Sequence, residues 1–158
     1  MEQVSKTGWI EVICGPMFAG KSEELIRRIK RLEYAKKDTL VFKPKIDNRY
    51  SEDEIVSHSK RHTKSINIEH SSDVYKHLAK TKHVDAIVID EVQFLDDGIV
   101  DVCDDLANKG IRIIVGGLDT DFKGDPFKNV ANLLAKAEYI TKLTAICFKC
   151  GAPATKTQ

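Results

Sequence analysis

A chain of 158 residues with 42% apolar and 31% charged side chains is sized for one packed domain, or one domain with a small appendage. Its 25 basic and 24 acidic residues leave a net charge of +1, no basic excess for nucleic acid or a membrane surface, and no apolar run approaches the roughly 18–20 residues of a membrane span. The start, MEQVSKTGW, lacks the apolar core of a signal peptide, so a cytoplasmic location with four reduced cysteines is expected.

In chain order, WIEVIC (9–14) reads as a buried strand. KSEELIRRIKRLEYAKK (21–37) places Leu25, Ile29 and Leu32 at intervals of four and three among charges, the pattern of an amphipathic helix. TLVFKP (39–44) is a second strand stopped by Pro44, and the strand–loop–helix–strand series predicts a βαβ unit with a parallel sheet. Residues 45–64 are polar, charged and aperiodic; a connection of that length without structure of its own is expected to be functional or mobile. SINIEH (65–70) is a short strand, and SSDVYKHLAKT (71–81) a helix with serines at its cap and Val74 and Leu78 on one face. AIVIDEVQF (86–94) is a strand carrying two carboxylates, and GIVDVCDDLANKG (98–110) a helix closed by Gly110. IRIIVGGLD (111–119) is a buried strand, TDFKGDPF (120–127) a loop, NVANLLAKAEY (129–139) the last helix and ITKLTAIC (140–147) the last strand. FKCGAPATKTQ (148–158) shows no periodicity. Strands alternating with helices of this length predict an open, mostly parallel α/β sheet with helices on both faces.

The chemistry begins at GPMFAGKS: Gly15, Pro16, Met17, Phe18, Ala19, Gly20, Lys21 and Ser22 fit G-x-x-x-x-G-K-[ST], after a strand and at the start of a helix. Amides of such a loop face phosphates, Lys21 would reach the β- and γ-phosphates of ATP, and the Ser22 hydroxyl would sit on Mg²⁺. The alternative is a chance match in a glycine turn. In IVIDE, Asp90 ends an apolar strand as a Walker B aspartate does, and Glu91 could take a proton from an attacking hydroxyl or orient a water. The bland reading is a solvated turn. Arg49 could close over a triphosphate from the long polar loop, or be an ordinary solvated arginine. Cys147 and Cys150 have the C-x-x-C spacing of half a zinc site; a redox pair is the alternative. Cys14, Cys103 and Trp9 read as core, and His58, His62, His70, His77 and His83 as surface without ligand spacing.

Five collinear segments, GPMFAGKSEELIRRIKR, KPKIDNRYS, VIDEVQF, GLDTDFKGDPF and TKLTAICFKCG, together resemble the P-loop, zinc-containing thymidine kinases, over about Gly8 to Thr157. The resemblance implies a P-loop NTPase-type kinase domain over 1–146 and the beginning of a zinc-binding lasso over 147–158. It implies that ATP phosphorylates thymidine at its 5′-hydroxyl, with Glu91 as proton acceptor and Asp90 assisting Mg²⁺. Asp47, Asn48 and Arg49 match the family's phosphate-side segment, and Val92 and Gln93 extend the Asp90–Glu91 segment. Met17, Phe94, Leu118, Phe122 and Phe127 match positions around the thymine base. Cys147 and Cys150 match the first half of a four-cysteine structural Zn²⁺ site. Homotetramers and inhibition by thymidine triphosphate are the family pattern. The family continues with a lasso over the nucleoside and a second cysteine pair, neither found within these 158 residues, so nucleoside capture and the zinc site are expected to be incomplete here. Two other classes stay open: a nucleotide switch or ATPase without a small acceptor, and a truncated, inactive subunit that only binds nucleotide or assembles.

Overall fold

The computed structural model describes residues 8–45, 54–56 and 62–155. Among these, strands β1 (Trp9–Cys14), β2 (Thr39–Pro44), β5 (Ile66–Ile68), β6 (Ala86–Ile89), β7 (Arg112–Gly117) and β8 (Tyr139–Lys142) form one sheet in the order β5-β2-β6-β7-β1-β8. Every neighbouring pair is parallel. Helices α1 (Lys21–Tyr34), α2 (Asp73–Ala79), α3 (Gly98–Asn108) and α4 (Lys128–Lys136) make the crossovers. The fold is thus the open parallel sheet of a P-loop NTPase. Helix α1 connects β1 to β2, with β6 and β7 lying between those two strands.

The period-two alternation of strand side chains explains why both faces are covered. Ile10, Val12 and Cys14 of β1, Ile87 and Ile89 of β6, and Ile113 and Val115 of β7 pack with Val74, Ile99, Cys103, Leu106, Val130 and Leu133. The intervening Ile13, Ala86, Val88 and Ile114 face Leu25, Ile26, Ile29 and Leu32 of α1. Each of those four helix residues is buried and stabilises by about 1.5–3 kcal/mol relative to exposure. Glu11 also points to the α1 side, where a charge needs partners. It receives Trp9 Nε1 at 2.7 Å, Arg28 Nη1 at 2.8 Å and both Nε and Nη2 of Arg112. Burial pushes its carboxyl up, but those donors outweigh it and hold the pKa below the ordinary value.

Several expected boundaries shift. The polar 45–64 connection contains an antiparallel pair, β3 (Glu54–Val56) with β4 (His62–Lys64), because Ile55 is buried beside α1. Helix α4 stops at Lys136, since Ala137 is extended and Glu138 donates its N–H to Ile10 O, beginning β8. The strand expected over 140–147 divides: β8 ends at Lys142, and Ala145–Ile146 (β9) pairs antiparallel with Pro153–Ala154 (β10). The 148–158 segment is therefore structured at its start. Trp9 is half-buried rather than core, packed edge-on to Tyr139. His77 is half-buried against the Phe42 ring, not a free surface residue. Cys14 and Cys103 are buried, as expected. The cap of α2 uses no serine hydroxyl: Asp73 accepts the Glu69 and His70 N–H groups, while Ser71 bonds Asp96.

Candidate nucleotide and phosphotransfer site

Parallel register brings the chemistry together. Ile13 and Cys14 lie opposite Gly116 and Gly117, and Ile89 opposite Val115, so the chain leaves β1, β7 and β6 at one edge. Leaving β1, Gly15 adopts φ 147° and any side chain there would strike Leu143 O, an approach that only glycine permits. Phe18 and Gly20 also have positive φ, 66° and 91°, and Gly20 hands the chain to α1. Glu23 and Glu24 sit in the first turn of α1.

Lys21 donates its ammonium to Pro16 O, closing the loop on itself. Burial pulls the Lys21 pKa down; Asp90, Asp119 and Glu91 oppose that. Ser22 Oγ donates to Asp90 Oδ2 at 3.2 Å, and the Glu91 N–H donates to Asp90 Oδ1 at 2.8 Å. Asp90 is buried, and burial raises its pKa against the pull of Glu91 N–H, Ser22, Lys21 and Lys43. A hydroxyl and a carboxylate 3.2 Å apart beside the loop are a hard oxygen donor pair, and they fit Mg²⁺ chemistry.

The strand expected over 86–94 ends at Ile89. Glu91 takes a left-handed conformation, φ 50° and ψ 42°, and Val92–Phe94 form a 3₁₀ turn. That backbone costs of order 1–3 kcal/mol for a non-glycine residue and turns Glu91 away from the strand direction. The sheet packing on either side maintains it: Val92 is fully buried, and Gln93 Oε1 accepts the Leu118 N–H at 3.2 Å.

The residues matched to thymine positions gather partly. Gln93 ties the Phe94 turn to Leu118, and Phe127 N–H donates to Asp119 O at 3.0 Å. Between them the 120–126 loop closes on itself, with Asp121 Oδ1 accepting Lys123 and Asp125 N–H groups. Phe94 is 47% and Phe122 70% exposed, whereas Met17, Leu118 and Phe127 are half-buried. Phe94 and Phe122 thus present much of their rings to solvent. Asp47, Asn48 and Arg49 lie outside the described residues.

Four further residues at the site carry no motif of their own in the sequence. Gly116 and Gly117 lie against Asp90 and Gln93, respectively, where a side chain would collide; the Gly-Gly pair at a strand end was the available signal. Asp119 is buried at the end of β7 and pairs with Lys142 at 3.3 Å. Asn129, buried near the start of α4, carries no sequence signal, because its role depends on a loop 34 positions earlier.

Cys147 and Cys150 flank the β9–β10 hairpin turn, where Gly151 N–H donates to Cys147 O and Cys147 N–H to Ala152 O. Hydrogen bonds from the Cys150 and Lys149 amides hold the Cys147 thiol below its ordinary pKa. Such a turn presents two thiolates to one ion, so the pair fits half of a tetrahedral zinc site. Among the described residues, Asp38, His83 and Asp85 also bring possible ligand atoms within 4.8 Å of one another. They lie at the opposite end of the sheet and are engaged mutually, with Asp85 accepting Asp38 N–H and contacting His83 Nε2.

Solved structures share the fold at low identity. The Holliday junction branch migration motor RuvB of Thermotoga maritima matches with TM-score 0.52 and 14% identity, over 89% of this chain and 39% of its own. The genome packaging NTPase B204 of Sulfolobus turreted icosahedral virus 2, in complex with ATP-gammaS, gives 0.54 and 16%, over 90% and 78%. The Legionella pneumophila ATPase DotB gives 0.52 and 11%, over 94% and 44%. The chain therefore spans less than half the length of RuvB and DotB. No helix among the described residues is long and apolar enough to cross a membrane. The family model for thymidine kinase matches residues 8–158, the segment that carries the P-loop, the Asp90–Glu91 turn and the cysteine hairpin, and the chain belongs to the thymidine kinase family.

Proposed function

We propose that the chain transfers the γ-phosphate of ATP to the 5′-hydroxyl of thymidine, giving thymidine monophosphate and ADP for nucleotide salvage. The observation that carries this reading is the convergence of Lys21, Ser22, Asp90 and Glu91 at one sheet edge in a chain matched to the thymidine kinase family. The loop amides from Gly15 to Ser22 bind phosphate, and Lys21 exchanges Pro16 O for phosphate oxygens. Ser22 and Asp90 would hold Mg²⁺, which when bound neutralises phosphate charge. Glu91 takes the proton of the 5′-hydroxyl as its oxygen attacks phosphorus and the bond to ADP breaks. Val92 and Gln93 belong to the phosphate-side turn. Asp47, Asn48 and Arg49 are assigned to phosphate binding on the family pattern. Met17, Phe94, Leu118, Phe122 and Phe127 surround the base.

The same reading assigns 1–146 to the kinase domain and 147–158 to the start of a zinc lasso, with Cys147 and Cys150 supplying two of four thiolates. Homotetramer assembly, inhibition by thymidine triphosphate and a cytoplasmic location follow the family pattern and are proposed on that ground. The test is phosphate transfer from labelled ATP, with and without thymidine, paired with calorimetric titration of ATP and then thymidine. Labelled thymidine monophosphate, lost in Lys21→Ala, is expected. Hydrolysis that ignores thymidine would make the chain an ATPase, and binding of ATP without transfer an inactive subunit.

A further inference from the structure

We propose that Asn129 is a positioning residue for the nucleoside side of the site, resting on the thymidine kinase reading above. Its side chain is 5% exposed, and Nδ2 donates to Leu95 O at 2.5 Å, with Asp96 O at 3.5 Å. Leu95 follows Phe94 directly, and Asn129 lies two residues after Phe127. One amide therefore joins the segment bearing Phe94 to the helix start bearing Phe127. Those aromatic residues belong to different crossovers, and helix α4 packs on the 3₁₀ turn at this point.

Two facing carbonyl oxygens admit only an N–H donor, so the amide orientation is settled by its partners. That orientation leaves Oδ1 buried without a hydrogen-bond partner. A leucine would remove the orphaned Oδ1 but leave Leu95 O without its donor, so only the amide joins the two segments, at the cost of one buried unsatisfied acceptor. The asparagine thus holds two backbones at a set spacing by its Nδ2 while its Oδ1 stays unsatisfied. The segment beyond Phe94 is pinned on its other side too: Asp96 Oδ1 accepts Ser71 N–H at 2.7 Å and Ser71 Oγ at 2.9 Å. Asn129 is its buried bond to α4, beside the exposed Lys128–Asp97 pair at 3.0 Å, and so it bears on the gap between Phe94 and Phe127. The Asn129 bonds reach Leu95 and Asp96, past the phosphate-side Val92 and Gln93, so thymidine should sense their loss more than ATP.

The experiment compares wild type, Asn129→Ala and Asn129→Ser in steady-state assays varying thymidine and ATP separately, at a temperature where thermal melts show each protein folded. Both variants are expected to raise the thymidine KM about five- to tenfold, the range for one lost buried hydrogen bond, with ATP KM and kcat within about twofold. Serine should recover part of the loss if its hydroxyl reaches Leu95 O through a water. Unchanged thymidine KM, or equal shifts for both substrates, would overturn the proposal and leave the kinase reading standing. Failure of both variants to fold would assign Asn129 to stability and likewise overturn it. A wild-type chain that neither binds nor phosphorylates thymidine would instead sink the kinase reading itself, and this proposal with it.

Discussion

Gly116→Ala places one methyl group where β7 passes between α1 and Asp90. The added Cβ would lie 2.6 Å from Leu25 Cδ1 and 3.3 Å from Asp90 Oδ1. Ordinary contact begins at 3.4 Å, so the leucine is some 0.8 Å too close. Leu25 cannot swing aside freely: it is fully buried among Ile13, Ile26, Ile29 and Ile114. Overpacking of this kind costs about 1–3 kcal/mol. Reduced freedom of the unfolded chain returns about 0.4–1 kcal/mol. The net loss is about 1–2 kcal/mol, a Tm lower by about 2–8 °C for a domain of this size. Leu25 lies one turn after Lys21, so relief of the clash moves the first turn of α1 relative to Asp90. A displacement approaching 1 Å at a reacting site can cost up to about 10²-fold in rate, so kcat should fall about 10- to 100-fold. Thermal melts and steady-state assays on the purified variant test both effects. A Tm and kcat equal to wild type would show that the core yields at no cost and refute the reasoning.

Glu91→Gln keeps size and hydrogen bonding but cannot accept the 5′-hydroxyl proton; kcat should drop about 10²–10⁴-fold with ATP affinity nearly unchanged, and a normal kcat would remove Glu91 as base. The Glu24 carboxyl is held down to about 2, chiefly by the Arg27 hydrogen bond, against burial and with help from Arg28. Because the folded value is depressed, its contribution is complete above the ordinary 4.5 and fades as pH falls toward about 2. Arg27 is exposed while Glu24 and Arg28 are half-buried on the helix surface, so Glu24→Gln should lose about 0.3–1 kcal/mol at pH 7, and melts of the two proteins should converge at the acid end. Cys147, with its pKa lowered by the Cys150 and Lys149 amides, should be alkylated at lower pH than an ordinary thiol, whereas burial pushes Cys103 up to about 12 and should leave it unlabelled in the folded protein. Mass mapping after a pH series of labelling distinguishes them, and equal rates would contradict the hairpin geometry.

Local features carried much of this fold in the one-dimensional pattern. WIEVIC and TLVFKP are strands with the expected bounds because their side chains are apolar enough for burial and their ends are marked by glycine and proline. Leu25, Ile29 and Leu32 sit on the buried stripe that their spacing required. GPMFAGKS announced its loop because phosphate binding demands contiguous amides and small residues, and IVIDE announced its strand end because a buried apolar run must stop where carboxylates begin. Other features depend on residues far apart in the chain. No periodicity says that β6 and β7 insert between β1 and β2, since crossover helices reach more than one neighbouring position. Ile55 made a strand of a polar connection by entering the α1 core. β9 and β10 are two residues each, too short for a periodic signal, and exist through their pairing. Gly116, Gly117 and Asn129 acquire meaning only from Leu25, Gln93 and Leu95 O, partners 24 to 91 positions away. A pattern read along the chain records what each segment must bury; which surfaces then meet is decided by packing in three dimensions.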